Sequence, residues 1–236
     1  MTTGNARRRT VALLPMKAHS ERVPGKNFRP LAGKPLFRWT LETLLEVGEI
    51  DQVIINTDAR RQLQLDAAVA DPRVALRDRT PELCGDTVSM NLILADDIRA
   101  VAADRYVMTH ATNPLLSAET IRRALRLFDE VEGAGTGDSI FSVTRHQARF
   151  YDPAGRPMNH DPANLVRTQD LDPLFEENSC LYVFTNGSFV DAGARIGRRA
   201  VMFETPALES LDIDEESDWA LVEAYLTAQG GTRHGD

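Results

Sequence analysis

The sequence predicts an α/β fold, a mostly parallel sheet with helices on both faces. Short apolar runs at residues 10–16, 52–57 and 106–110 suit strands buried on both sides, and stretches with apolar residues at helical spacing lie between and after them. Such alternation builds parallel sheets, because each crossover helix returns the chain to the same edge. Size agrees: 236 residues, 42% apolar and 26% charged, suffice for one large domain with a sizeable core.

Residues 1–9 are small, polar and basic and are expected to form a flexible tail, with the domain proper at 10–230. The run 10–16 opens the sheet, and a loop of turn residues and bases follows at 17–27. Pro35 then starts a helix in which Leu36, Trp39, Leu41, Leu44 and Leu45 recur at helical spacing. Residues 52–57 give a second strand, 60–70 a second helix, 74–77 a short strand and 90–102 a third helix. The strand at 106–110 leads through Asn113-Pro114 into a helix with Ser117 and Thr120 as candidate caps. From Asp138 the rhythm changes. Strands at 139–144, 180–185 and 201–204 are separated by a Pro-, Asn- and Asp-rich stretch from 151 to 173. That stretch is too long for an ordinary loop and reads as a small lobe or interface arm. Residues 214–229 close the chain as an amphipathic helix carrying Trp219, Leu221, Val222 and Leu226.

Composition excludes several classes of function. The formal net charge of −8 repels polyanions, so neither nucleic acid nor an anionic membrane is an expected partner. Cys84 and Cys180 stand far apart, which indicates neither a disulfide framework nor a zinc knuckle. No apolar run reaches the ~20 residues of a membrane span. Lys17 ends the first apolar stretch too early for a signal peptide, so a cytoplasmic protein is expected. The charge is also polarised. Five bases and one acid, Glu21, lie from Lys17 to Lys34, whereas seven acids and no base lie from Glu204 to Asp218. A basic loop after the first strand of an open α/β sheet faces the carboxyl edge, where such folds bind ligands. The two segments are either cations for phosphate and carboxylates for a divalent metal, or two solvated faces.

Within the basic loop, residues 20–27 read Ser-Glu-Arg-Val-Pro-Gly-Lys-Asn. Pro24-Gly25 forces a turn that brings backbone N–H groups toward a bound anion, and Lys26 adds a point charge. The alternative is a plain surface turn with a solvated lysine, and the Walker A spacing is absent. Asp212-Ile-Asp214, if extended, puts both carboxylates on one face with Ile213 packed inward, an economical Mg²⁺ site. Asp214 as the cap of the last helix is the competing reading. His110 ends a strand and faces the same edge, toward a ligand or as a hydrogen-bonded structural histidine. His19 lies in the basic loop, while His146, His160 and His234 have no metal-ligand spacing. Neither His-Glu-x-x-His nor Gly-x-Ser-x-Gly occurs, which counts against zinc peptidases and serine hydrolases.

Several short motifs, weak singly, form a strong signal in order. They are Pro24-Gly-Lys-Asn27, Leu31-Ala-Gly-Lys-Pro35, Asn56-Thr-Asp58, Arg79-Thr-Pro-Glu-Leu83, Asp86-Thr87, Thr112-Asn-Pro114, Glu177-Asn178 and Ser210-Leu-Asp-Ile-Asp214. With them the chain resembles the acylneuraminate cytidylyltransferase family, the CMP-sialic acid synthetases, from about Val11 to Leu226. The resemblance implies a Rossmann-like nucleotide-diphospho-sugar transferase fold with a small dimerisation lobe at 144–178. It implies CTP as donor, an acidic sugar as acceptor, Mg²⁺ as cofactor and pyrophosphate as product. Position by position it assigns Lys17, Gly25, Lys26, Asn27, Arg79 and Ser89 to the nucleotide side. Asp212 and Asp214 become the metal pair, catalytic together with Lys26, and His110, Asn113, Arg167 and Asn178 contact the acceptor.

Three departures concern the acceptor and the phosphates. Lys17 stands where the family usually has arginine, which keeps the charge and loses the bidentate fork. The usual Gln-Pro-Thr-Ser-Pro is His110-Ala-Thr-Asn-Pro114, and Glu176 replaces an arginine that some members carry near the sugar. Rival readings are a transferase of the same fold using another nucleotide, a sugar phosphate or a phosphonate, or a nucleotide-binding protein without turnover. The 144–178 arm carries Phe150, Tyr151, Leu165, Leu171, Leu174 and Phe175, costly in water at ~25 cal/mol per Å². A homodimer is therefore expected, with the arm placing Arg167 near the partner's sugar pocket.

Overall fold

The computed structural model describes residues 7–20, 22–85 and 87–231; Glu21, Asp86 and His234 lie outside the described residues. So do residues 1–6 of the expected tail. Arg7–Arg9 are held in place: Arg7 Nη2 donates to the Gly48 carbonyl at 2.8 Å and the Arg9 amide to Asp104 Oδ2 at 2.6 Å.

In chain order the elements are β1 (Thr10–Leu13), β2 (Pro30–Leu31), β3 (Lys34–Pro35), α1 (Leu36–Glu46), β4 (Gln52–Thr57), α2 (Arg60–Leu63) and β5 (Val74–Asp78). There follow α3 (Met90–Ala100), β6 (Arg105–Thr109), α4 (Ala118–Gly133), β7 (Ser139–His146), β8 (Leu174–Phe184), α5 (Asn186–Ala192), β9 (Ala200–Glu204) and α6 (Glu216–Gly231). Seven strands form one sheet in the order β5-β4-β1-β6-β8-β7-β9. The first four are parallel; β8 runs antiparallel to both neighbours, and β7 and β9 pair in parallel. The Rossmann-like α/β expectation holds.

Two apolar layers sandwich the sheet. On one face Phe37, Leu41 and Leu44 of α1 and Ile121, Leu125 and Phe128 of α4 pack with Ala12, Val53, Ile55 and Val107. On the other, Leu94 and Ile98 of α3 and Phe189 of α5 meet Val11, Leu13, Ile54, Tyr106 and Met108. Alternate residues of each strand thus serve opposite layers, which is why these strands read as unbroken apolar runs. A third cluster joins Val23, Leu31 and Leu36 to Ile213, Trp219 and Val222, binding the basic loop to the chain's end. Among the described residues no helix is long and apolar enough to cross a membrane.

The expected helix at 60–70 is α2 plus a separate turn at Ala67–Ala70. The side chain of Asp66 accepts the Ala68 N–H and so starts a new turn rather than continuing the old one. Ser117 caps α4 by accepting the Thr120 N–H, so Thr120 gives its backbone rather than its hydroxyl. The capping box of Thr185 and Ser188, closed by Gly193 at φ +68°, makes α5, a helix the sequence reading passed over. Strand β8 begins at Leu174, so the end of the supposed arm is sheet. The rest of the arm exposes Tyr151, Met158, Leu165 and Val166, while Leu171 is buried.

Candidate active site

The chain crosses from one half of the sheet to the other between β1 and β6. Beyond the carboxyl ends of these strands lies a cleft of about 370 Å³, at the position where doubly wound sheets take their ligands. Met16 and Lys17 after β1, Arg22, Lys26 and Asn27 of the loop, Arg79, and His110 to Thr112 after β6 line it with Asp214.

The loop is shaped by its own turn residues. Gly25 takes φ +64°, the left-handed region that suits glycine, and starts a short turn at Lys26–Phe28. Val23 and Leu31 on either side sink into the third apolar cluster, against Ile213 and Trp219. Lys26 is therefore buried, and its Nζ donates to the Ile213 carbonyl at 2.6 Å and lies 3.3 Å from Asp214 Oδ1. Arg22 Nη2 is 2.9 Å from the same carboxylate oxygen. Asn27, also buried, donates from Nδ2 to the Lys17 carbonyl at 2.9 Å and fixes the loop's entry. The basic and acidic segments meet, 187 residues apart in the chain.

Arg79 is held rigidly. Its Nε donates to Asn56 Oδ1 and its Nη2 to the Asn56 carbonyl, each at 2.9 Å. These bonds engage Nε and Nη2 of a residue that lines the cleft. Asn56 in turn donates from Nδ2 to the fully buried Asp97, at 2.8 Å, and Arg77 Nε donates to the same Asp97 oxygen at 2.8 Å. A carboxylate accepts only, so Asp97 claims the amide NH₂ of Asn56 and turns its carbonyl to Arg79. Burial lowers the Arg79 pKa and raises that of Asp97.

His110 is pushed down to about 4, by burial first, then by the Arg195 charge, with Asp214 opposing. It is neutral at pH 7. Burial likewise raises the Asp212 carboxyl, which Thr112 counters through a hydrogen bond while Asp214 adds like-charge repulsion. The Ile213 amide donates to the Thr112 carbonyl at 2.9 Å, tying the Asp-x-Asp segment to the loop after β6. Asp214 does not cap α6. Asp218 accepts both the Asp214 and Glu215 amides, at 3.0 and 2.8 Å, leaving the Asp214 side chain to the cations.

Six expected site residues, Gly25, Ser89, Asn113, Arg167, Asn178 and Asp212, are not among those that line this cleft. Asn113 is fully buried and donates to the Leu211 carbonyl at 3.3 Å. Asn178 cross-links the sheet, donating to Thr144 and Thr205 and accepting from Ser142. Ser89 lines a neighbouring cavity, and Arg167 is exposed with Asp170 as its partner. Arg22, Asn56, Asp97, Thr112 and Arg195 were not singled out as site residues. For Asn56 the signal was its place in the Asn-Thr-Asp motif; Asp97 and Arg195 carry no local signal at all.

Among the described residues no cluster of three or more His, Cys, Asp or Glu side chains is placed for a metal. Asp212 and Asp214 nonetheless fit one magnesium ion: Asp212 Oδ1 is buried without a hydrogen-bond partner, and both donors are hard oxygens. Two carboxylates suffice where substrate phosphates complete the shell.

Fold and cleft define a class, the Rossmann-like α/β proteins with a cationic cleft at the sheet's crossover. Within that class the chain belongs to the cytidylyltransferase family, whose model matches residues 11–221. It is 29% identical over 233 residues to an N-acylneuraminate cytidylyltransferase of Oncorhynchus mykiss, covering 95% of this chain and 52% of that protein. It is 28% identical to a CMP-N,N'-diacetyllegionaminic acid synthase of Legionella pneumophila, covering 92% of this chain and 96% of the relative. The chain thus spans about half the length of the first relative and nearly all of the second. Among solved structures it resembles a CMP:2-keto-3-deoxy-manno-octonic acid synthetase complexed with CTP, with a TM-score of 0.66 and 15% identity, covering 94% and 99% of the two chains.

Proposed function

We propose that the chain is a cytidylyltransferase that joins CTP to an acidic sugar and releases pyrophosphate. The observation that carries this reading is the junction of Lys26 with Ile213 and Asp214, which sets cations and the Asp214 carboxylate on one cleft. The names of its relatives, which transfer cytidylyl groups to sialic-type acids, support the choice of donor and acceptor.

In this reading Lys17, Arg22 and Lys26 hold the triphosphate, and Arg79 holds the nucleotide through the nitrogen its structural bonds leave over. An acceptor hydroxyl, giving up its proton to solvent, attacks the α-phosphorus in line and breaks the bond to the β-phosphate oxygen, and Lys26 neutralises charge on the departing pyrophosphate. Neutral His110 offers the acceptor a hydrogen bond without adding charge. Asp212 and Asp214 would hold Mg²⁺, which when bound screens the phosphates and lowers the hydroxyl pKa. A second copy of the chain would cover the apolar side chains of the arm, making a homodimer. CTP is an intracellular metabolite, which supports a cytoplasmic location.

Pyrophosphate release tests the reading, measured with CTP, ATP, GTP and UTP against sugar acids and sugar phosphates. Release is expected with CTP and a sugar acid. Turnover with another nucleotide, or only with a sugar phosphate, would reassign the donor or acceptor. Tight CTP binding without turnover on any acceptor would make the chain a binding protein.

A further inference from the structure

The segment 209–214, which carries the Asp pair, is laced like a strap to the loop after β6. Glu209 Oε2 accepts the Ser117 amide at 2.8 Å, and its Oε1 accepts the Ser117 hydroxyl at 3.0 Å. Asn113 Nδ2 donates to the Leu211 carbonyl at 3.3 Å. The Ile213 amide donates to the Thr112 carbonyl at 2.9 Å, and the carbonyl of the same Ile213 accepts Lys26 Nζ at 2.6 Å. The ties thus fall on 209, 211 and 213, every second residue, and hold the register of Asp212 and Asp214. Thr112 adds a side-chain hydrogen bond to Asp212 itself.

The loop that takes these ties is a fixed base. The buried Thr40 of α1 places its hydroxyl 3.4 Å from the His110 and the Asn113 carbonyls. The Asn113 amide donates to the His110 carbonyl and its own carbonyl accepts the Leu116 amide, each at 3.3 Å. From that anchored backbone the Asn113 side chain reaches only Leu211. It is fully buried, it is not among the residues lining the cleft, and its Oδ1 has no hydrogen-bond partner among the described residues. A buried amide left half satisfied costs stability, so an apolar side chain would fill the space better. What Asn113 supplies is one donor, and the strap takes it.

We infer that Asn113 is a positioning residue for the transfer: it touches no acceptor, and by holding the Leu211 carbonyl it sets the Asp pair and the Ile213 carbonyl that anchors Lys26. Glu209 is the outer tie of the same strap. The inference rests on the reading above that Lys26 and the Asp pair serve the transfer, and it moves Asn113 from the acceptor's surroundings to the support behind them.

The test uses the full chain with CTP, N-acetylneuraminate as acceptor, and Mn²⁺ as a metal whose binding to the nucleotide-free protein is read by paramagnetic resonance. Thermal melting is followed alongside pyrophosphate release. Asn113→Ala should cut kcat about tenfold or more and weaken Mn²⁺ binding about tenfold, the scale of losing a group that orients a ligand. The acceptor KM should stay within about twofold, because ground-state contacts to the acceptor are untouched. Glu209→Gln keeps the shape of the outer tie and weakens it, so Mn²⁺ affinity should fall about threefold with the acceptor KM unchanged. A raised acceptor KM in Asn113→Ala, with kcat and Mn²⁺ binding unchanged, puts Asn113 on the acceptor and overturns the inference. So does a lower melting temperature with native kcat and Mn²⁺ affinity in the folded variant, since the amide then serves the fold alone. Where Asn113→Ala does not fold, native Mn²⁺ affinity in Glu209→Gln overturns it, as does a native protein that binds no Mn²⁺. A native protein that binds Mn²⁺ but releases no pyrophosphate from CTP removes the cytidylyltransferase reading instead, and the Mn²⁺ comparison still decides the strap.

Discussion

The cleft buries polar side chains, whereas the arm between β7 and β8 exposes apolar ones. Lys26, Asn27, Asn56 and Asp97 are each less than a tenth exposed, yet Leu165 is 71% and Met158 60% exposed. Buried polar groups survive only when hydrogen-bonded, and in the cleft the bonds interlock loops from both halves of the sheet. An exposed apolar patch persists when something else covers it. The first pattern suits a small charged ligand and the second a macromolecular surface. The two regions should therefore answer separately to mutation.

The largest effect is expected at the Asp pair. Asp212→Asn and Asp214→Asn should each cut pyrophosphate release by about 10²-fold or more, the scale of losing one preorganised electrostatic contact. Light scattering on the same variants should give the mass of the native protein, because neither residue lies in the arm. Near-normal turnover in both would remove the pair from the chemistry.

The arm supplies the converse experiment. Under the proposed homodimer, Leu165→Asp should give a monomer by light scattering at about 10 µM, since a charge on an apolar twofold contact would be desolvated at a cost of several kcal/mol. CTP affinity should stay within about twofold, the usual reach of a surface change far from a site. A native protein already monomeric and fully active would show that the arm faces solvent by design.

Smaller and more telling is the support of Arg79. Asp97→Asn removes the group that sets the orientation of Asn56, and CTP affinity should fall about five- to tenfold, the value of a buried charge-assisted bond. In an Arg79→Ala background the same change should cost less than about twofold, because contacts that act through one residue are not additive. Equal losses in both backgrounds would mean that Asp97 serves the fold at large.

The comparison also explains what the sequence made legible. The parallel half was legible strand by strand, since each strand is apolar on two faces and each helix carries one apolar stripe. The meeting of the basic loop with the Asp-x-Asp segment was legible because both are charge runs of opposite sign. What escaped was the part of the site made by single residues whose meaning is tertiary. Asp97 is one polar residue on a helix, and only its place under Asn56 gives it a role. Arg195 follows a short helix that was itself missed, as its capping box Thr185-x-x-Ser188 was hidden between apparent strand and loop. Asn178 looked like an acceptor ligand; the structure spends its amide on Thr144, Thr205 and Ser142, in a strand longer than its apolar core suggests.

The smallest expected effect separates the two regions by pH. His110 belongs to the cleft, and its pKa is about 4 in the fold against an ordinary value of 6.5. Well above pH 6.5 it is neutral in both folded and unfolded chains and contributes nothing to pH dependence. As pH falls below 6.5 the unfolded chain takes up a proton that the fold refuses until about pH 4, so stability is lost through that window. Between pH 7 and pH 5.5 the loss is about 1 kcal/mol, or roughly 3 °C in melting temperature for a chain of this size. His110→Gln should flatten the melting curve by that amount over the same window. If His110→Gln leaves the slope unchanged, the burial of charge that distinguishes the cleft from the arm is misplaced.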